Sequence, residues 1–160
     1  MGRRDAGTQG RRDAGTQGRF ALLAAFCAFF GTAFGGEVYV TYSDGTQSDV
    51  QAAVGRASNG DTLLFPESTF VFDGAVSVEG GKSLGLWGAG LSGSGRPLTV
   101  LEKSDACRFF DFAGDGGGGT GVRSIAFDGK ELPVDGYGGA IYCDDSFAGA
   151  ILNSSFVGNK

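Results

Sequence analysis

The chain has 160 residues, 41% of them apolar, and a formal charge of −5, which allows one hydrophobic core and a single domain. The charge is uneven: residues 1–35 hold five arginines and two aspartates, whereas residues 36–160 hold 8 basic and 16 acidic residues and carry −8. That acidic body lacks the clustered Lys and Arg that replace counterions on nucleic acid or on an anionic membrane surface, which excludes both as its partners.

Residues 2–9 and 10–17 both read GRRDAGTQ. A perfect tandem octapeptide is the trace of a recent duplication, since solenoid repeats run ~20–50 residues and drift in sequence. Phe20–Gly35 follows without a charge. A basic leader, an apolar stretch of this length and the small residues Ala33 and Gly35 predict a signal peptide over 1–35 with cleavage near Gly35–Gly36. A membrane anchor is the competing reading of the same segment, and the membrane is expected as a partner only through it. Export makes a secreted or cell-surface location the expectation. In an oxidising compartment Cys107 and Cys143 are candidates for a disulfide, and Asn153-Ser154-Ser155 fits a glycosylation sequon.

Residues 36–60 are expected to form an N-terminal strand and a capping helix. Glu37–Ser43 alternates, with Val38, Val40 and Tyr42 on one face. Ser48 as N-cap, Gln51 three positions on, and Val50, Ala53, Val54 and Ala57 predict an amphipathic helix near 49–58, stopped by Asn59-Gly60. Residues 61–160 then hold short strands at 62–66, 69–73, 76–79, 83–88, 97–103, 107–112, 122–129, 138–143 and 150–159. They are separated by Gly, Ser and Asp and by no helix, so the fold class is all-β. Glycine, at 31 residues, has no collagen period and marks tight turns.

The strands repeat in threes. Phe127 aligned on Phe156 sets Val122 on Ile151 and Gly129 on Gly158 at an offset of 29 residues. The Phe-Asp-Gly of 72–74 recurs at 127–129, and turns begin near Leu63, Leu84, Val122 and Ile151. A solenoid of three-strand coils satisfies this pattern, because each coil buries its inward row against its neighbours. The last residues fall inside a repeat without a polar cap, so a truncated gene product is expected in preference to stacking on another chain.

Residues 48–90 resemble the opening of a right-handed parallel β-helix of the pectin-lyase-like type: a capping helix, Gly-Asp, a strand ending in Pro, a Thr-aromatic strand and a strand closing in Gly-Ala-Gly. The segment Gly138-Gly139-Ala140-Ile141 with Phe156-Val157-Gly158-Asn159 resembles the repeat of chlamydial-type polymorphic outer membrane proteins. The preceding coil has Lys130 where that repeat has Asn. These resemblances imply a three-sheet right-handed parallel β-helix of about three to four coils. Its glycine pair would supply positive φ, its Asn would bond the backbone, and Phe127 and Phe156 would stack inside.

Chemistry is weakly signalled. The paired acids Asp144-Asp145 match one element of polygalacturonase-type hydrolases, but the remaining elements of that pattern are missing and the chain has no histidine. Two acids at a strand end read as solvated turn residues. Asp111, Asp115 and Asp128 lack the spacing of a calcium loop, and about six oxygen ligands would have to converge. Trp87, Tyr137, Tyr142 and Phe147 offer flat rings for a sugar face, or large packing residues. The expectation is therefore a non-catalytic, adhesin-like β-helix domain without a cofactor, with carbohydrate or a cell-surface protein as partner. The alternative is a fragment of a polysaccharide lyase or glycoside hydrolase, for which alone Ca²⁺ is expected.

Overall fold

The computed structural model describes residues 35–113, 121–134, 139–143 and 149–160. The duplicated leader and the apolar segment lie outside them, apart from Gly35. Among the described residues the chain forms β1 (Glu37–Tyr39), α1 (Gln47–Arg56), β2 (Thr62–Leu64), β3 (Ser68–Phe72), β4 (Val76–Val78), β5 (Gly85–Trp87) and β6 (Thr99–Lys103). There follow β7 (Phe110–Phe112), β8 (Val122–Arg123), β9 (Ile125–Asp128), β10 (Ile141–Cys143), β11 (Ile151–Leu152) and β12 (Ser155–Val157).

These strands make three parallel sheets, ordered β1-β2-β5-β8-β11, β3-β6-β9-β12 and β4-β7-β10. Every third strand returns to the same sheet, so the chain winds as a right-handed parallel β-helix of about four turns with one short helix at its start. The inward columns follow from the register. Leu63, Leu86, Val122 and Ile151 stand above one another in the first sheet. Phe70, Leu101, Phe127 and Phe156 do so in the second, and Val76, Phe110 and Ile141 in the third.

The expected superposition of Phe127 on Phe156 and of Val122 on Ile151 holds; the two rings stack 4.7 Å apart and 3° from parallel. Three expectations change. The recurring Phe-Asp-Gly is out of register, since Phe127 stands over Leu101 and Phe70, while Phe72 pairs with Lys103. The first column uses Leu86, with Leu84 buried before β5 begins. The long strands expected at 122–129 and 150–159 are broken, the first at Ser124 with φ 56° and the second at Asn153-Ser154, where Asn153 has φ 52°. A single left-handed residue turns the chain sharply enough to pass from one sheet to the next. Between the two, Ser124 N–H donates to the Leu152 carbonyl across coils at 3.0 Å.

The helix caps the N-terminal end by satisfying strand edges, and its own N-cap is given up for this. Thr46 is the N-cap and makes no side-chain capping bond. Gln51, expected to cap Ser48, instead uses its amide as a surrogate peptide: Nε2 donates to the Ser77 carbonyl at 3.0 Å and Oε1 accepts Ser77 N–H at 2.9 Å. Gln47 donates to the Ala75 carbonyl and Arg56 to the Tyr39 carbonyl. Lys82 donates to the Val54 and Ala57 carbonyls, where the helix ends at Arg56, short of Asn59-Gly60. An open strand edge buried under a helix costs unpaired backbone groups, which is the reason polar residues face the sheet here.

Two substitutions test this arrangement. Gln51→Ala removes both bonds to Ser77 and is expected to lower stability by about 1–2 kcal/mol in urea unfolding. Phe127→Ala opens a cavity in the stacked column and is expected to cost about 3–5 kcal/mol.

Candidate functional site

Alternation on the short strands sends every second side chain outward. On the five-stranded sheet the outward row, in register, is Tyr39, Leu64, Trp87, Arg123 and Leu152. Tyr39 is 67% exposed and Trp87 37%. The Arg123 guanidinium lies over the Trp87 ring, 5.6 Å from its centroid. Stacking holds the cation on the ring face while leaving its edge donors free to meet a carboxylate or hydroxyl. Coils rise ~4.8 Å each, so the row presents one side chain per coil along ~19 Å. Trp87 is one of the four aromatics expected as a sugar face or as packing residues, but Arg123 and Tyr39 are missed by sequence reasoning. The available signal was parity: Arg123 follows the inward Val122, and Tyr39 the inward-facing Val38.

The three-stranded sheet carries a second outward group. Asp111 and Tyr142 are register partners, Arg108 bridges to Asp111 at 3.2 Å, and its guanidinium lies 4.7 Å from the Tyr142 ring centroid. Of the four aromatics read as a sugar face, Trp87 and Tyr142 therefore occupy different sheets, and Tyr137 and Phe147 lie outside the described residues. So do Asp115, Asp144, Asp145 and Gly138.

Asp49, Asp61 and Asp128 hold backbone N–H groups, whereas Asp111 and Glu102 pair with cations. Burial opposes the charge of Asp49, yet hydrogen bonds from Ser43, Gly45 and Asp44 keep its carboxyl below the usual range. Asp128 is also held low, by the Lys130 backbone N–H and then by its ammonium. Lys130, which stands where Asn is expected, pairs with Glu102 at 3.1 Å and Asp128 at 3.0 Å. Asp61 accepts from Gly36 and Ser58 N–H. Among the described residues no three His, Cys, Asp or Glu side chains are gathered to hold a metal ion.

The repeat residues serve the scaffold. Asn159 Nδ2 donates to the carbonyls of Phe127, one coil back, and Val157. Gly139 does not have the expected positive φ. It is small because a Cβ there would lie 3.2 Å from the Lys160 carbonyl. Ala140 is buried and Ile141 packs against the core. Cys107 and Cys143 carry free thiols. Cys143 stands beside Phe112, five residues beyond Cys107, while the Cys107 thiol faces the Phe72 carbonyl. Asn153 is exposed at its corner.

Lys103 is an inward residue that the sequence reading took as part of an ordinary strand. It is 2% exposed in the row above Phe72. Its ammonium donates to the Gly139 carbonyl at 2.7 Å and lies 5.5 Å from the Phe109 ring centroid. Burial pushes its pKa down.

No family model matches the chain, and no curated protein matches it. A solved structure of a PL6 family alginate lyase, AlyGC, is similar in fold, with a TM-score of 0.55 and 18% identity. The match covers 77% of this chain and 16% of that one. It supports the β-helix; at this identity it carries the fold alone.

Lys103 gives a test with a defined sign. Its folded pKa lies below its unfolded value, so wild-type stability is expected to rise with pH between the two, as the buried charge is relieved. Lys103→Met is expected to lose that rise and to be neutral or stabilising, whereas Lys103→Ala is expected to cost about 2–4 kcal/mol. Urea unfolding across the alkaline range reads all three.

Proposed function

We propose that the chain is an exported, non-catalytic β-helix module of a surface or secreted adhesin-like protein, and that it engages carbohydrate along the outward row of its five-stranded sheet. The observation that carries this reading is the exposed Trp87 ring with Arg123 stacked on it, flanked in register by Tyr39 and Leu64. A flat ring fits a sugar face, and a guanidinium edge fits its hydroxyl or carboxylate substituents. The row is one side chain wide, far narrower than the ~800 Å² per partner of a standard protein interface. An extended glycan suits it better than a folded protein.

The Gly-Gly-Ala-Ile and Phe-x-x-Asn marks support the adhesin-like reading through their scaffold roles at Ile141, Phe156 and Asn159. The described carboxylates support a non-catalytic one, because Asp49, Asp61 and Asp128 hold backbone N–H groups. A second reading, a fragment of a polysaccharide lyase or hydrolase, rests on the alginate lyase neighbour and on Arg108 beside Tyr142.

Trp87 is the only tryptophan of the chain, so its fluorescence reports this row directly. Titration with alginate or polygalacturonate oligomers is expected to change that emission in a saturable way. Arg123→Gln is expected to weaken the apparent affinity about tenfold, the scale of one charge-assisted hydrogen bond. The same mixtures with Ca²⁺ are expected to show no rise in ultraviolet absorbance from unsaturated product. A rise abolished by Arg108→Ala would establish the lyase reading instead.

A further inference from the structure

Asp61 is a carboxylate with 8% exposure, placed just after the exit of α1. Among the described residues no Lys or Arg pairs with it. Its Oδ2 accepts Ser58 N–H at 2.7 Å, which fixes the turn after the helix. Its Oδ1 accepts Gly36 N–H at 2.5 Å. A charged carboxylate removed from water is costly without a cation, and hydrogen bonds from neutral amides compensate only in part.

The acceptor is aimed at the nitrogen that the sequence marks for release. Cleavage of the Gly35–Gly36 bond is expected from the leader, and Gly36 N is the atom that such cleavage would convert from an amide into an α-ammonium. The surroundings fit that change. The Gly36 carbonyl is already fixed by Thr62 N–H at 2.9 Å, so the residue is held in place independently of its nitrogen. No side chain stands between Gly36 and the carboxylate, since a Cβ on Gly36 would lie only 3.2 Å from Asp61 Oδ1.

Gly35 is packed against Gly60 so closely that a Cβ there would overlap the Gly60 carbonyl.

We propose that Asp61 is the docking site for the N-terminus created at Gly36, so that processing converts a neutral hydrogen bond into a partly buried ion pair that locks β1 and the helix exit onto the first coil. Hydrolysis adds water across the bond: the hydroxyl joins the Gly35 carbonyl carbon as a carboxyl group that releases its proton to solvent, and the other hydrogen goes to Gly36 nitrogen, which takes one proton back from solvent as an ammonium. The inference rests on the export reading, and its test separates the two.

The full chain is expressed in an exporting host and, in parallel, in a compartment without export, giving a released form and an intact form. N-terminal sequencing of the released form is expected to begin at Gly36. Asp61→Asn keeps the shape and, with its oxygen toward Ser58, the Ser58 contact; it removes the charge and sets an amide donor against Gly36 nitrogen, which costs the intact form its hydrogen bond and the released form the ion pair as well. It is expected to lower the melting temperature of the released form at least twice as much as that of the intact form, and chemical acetylation of the released α-amine is expected to reproduce the loss. No release at all would sink the export reading and the proposal with it. Release at Gly36 with equal Asp61→Asn effects in both forms would overturn the ion pair alone, and a start at another residue would overturn the site.

Discussion

The backbone ladder between successive coils sets each strand ~4.8 Å from the next and in register with it, so an inward side chain within the stack is packed by those directly above and below, while Ile151 and Phe156 in the last described coil are packed from one side and stay exposed. Phe70, Leu101, Phe127 and Phe156 form one such column, and Leu63, Leu86, Val122 and Ile151 another. A fully buried Phe or Leu contributes about 1.5–3 kcal/mol relative to exposure, which lets strands of two to five residues hold together. It also explains why Lys103 is tolerated inside: its ammonium reaches the Gly139 carbonyl, and its stem continues the apolar row above Phe72. The columns make the scaffold rigid and leave only the outward rows to vary in chemistry.

Polar groups fall into two kinds on this scaffold. Those at the N-terminal end are spent on closing it. Gln47 and Gln51 face the edge of the third sheet, and Asp49 gathers the amides that lead into the helix. The β-bridge between Thr46 and Val71 covers the edge of the second sheet. Those on the outward rows are free of such duty or are paired with one another, as Arg123 is with Trp87 and Arg108 with Asp111 and Tyr142. Two outward rows thus pair a cation with an aromatic ring, one on the five-stranded sheet and one on the three-stranded sheet.

Much of the architecture was legible in the chain. Val122 and Phe127 at 29 residues from Ile151 and Phe156 announced the coil repeat, because stacked positions repeat in residue type. What the sequence hid depends on partners distant in the chain. Gln51 looked like a helix cap until Ser77, 26 residues away, was seen to need both of its amide groups. Ser124 and Asn153 turn corners in the left-handed backbone region, which Asn adopts more readily than most residues and Ser does not announce. Glycine was read as conformational freedom, yet Gly139 is small for lack of space. The candidate strip was legible only in part: Trp87 stood out by its rarity, but its cation comes from the next coil. Lys103 could be placed inside only after the register was known.

The account stands on the parallel, in-register stacking of successive coils, the last two of them 29 residues apart, and cross-strand nuclear Overhauser contacts in the isotope-labelled chain test it most directly. The expected result is a set of backbone contacts linking Val122 to Ile151, with ring contacts linking Phe127 to Phe156. Antiparallel contacts joining strands consecutive in the chain, such as β2 to β3, would contradict it.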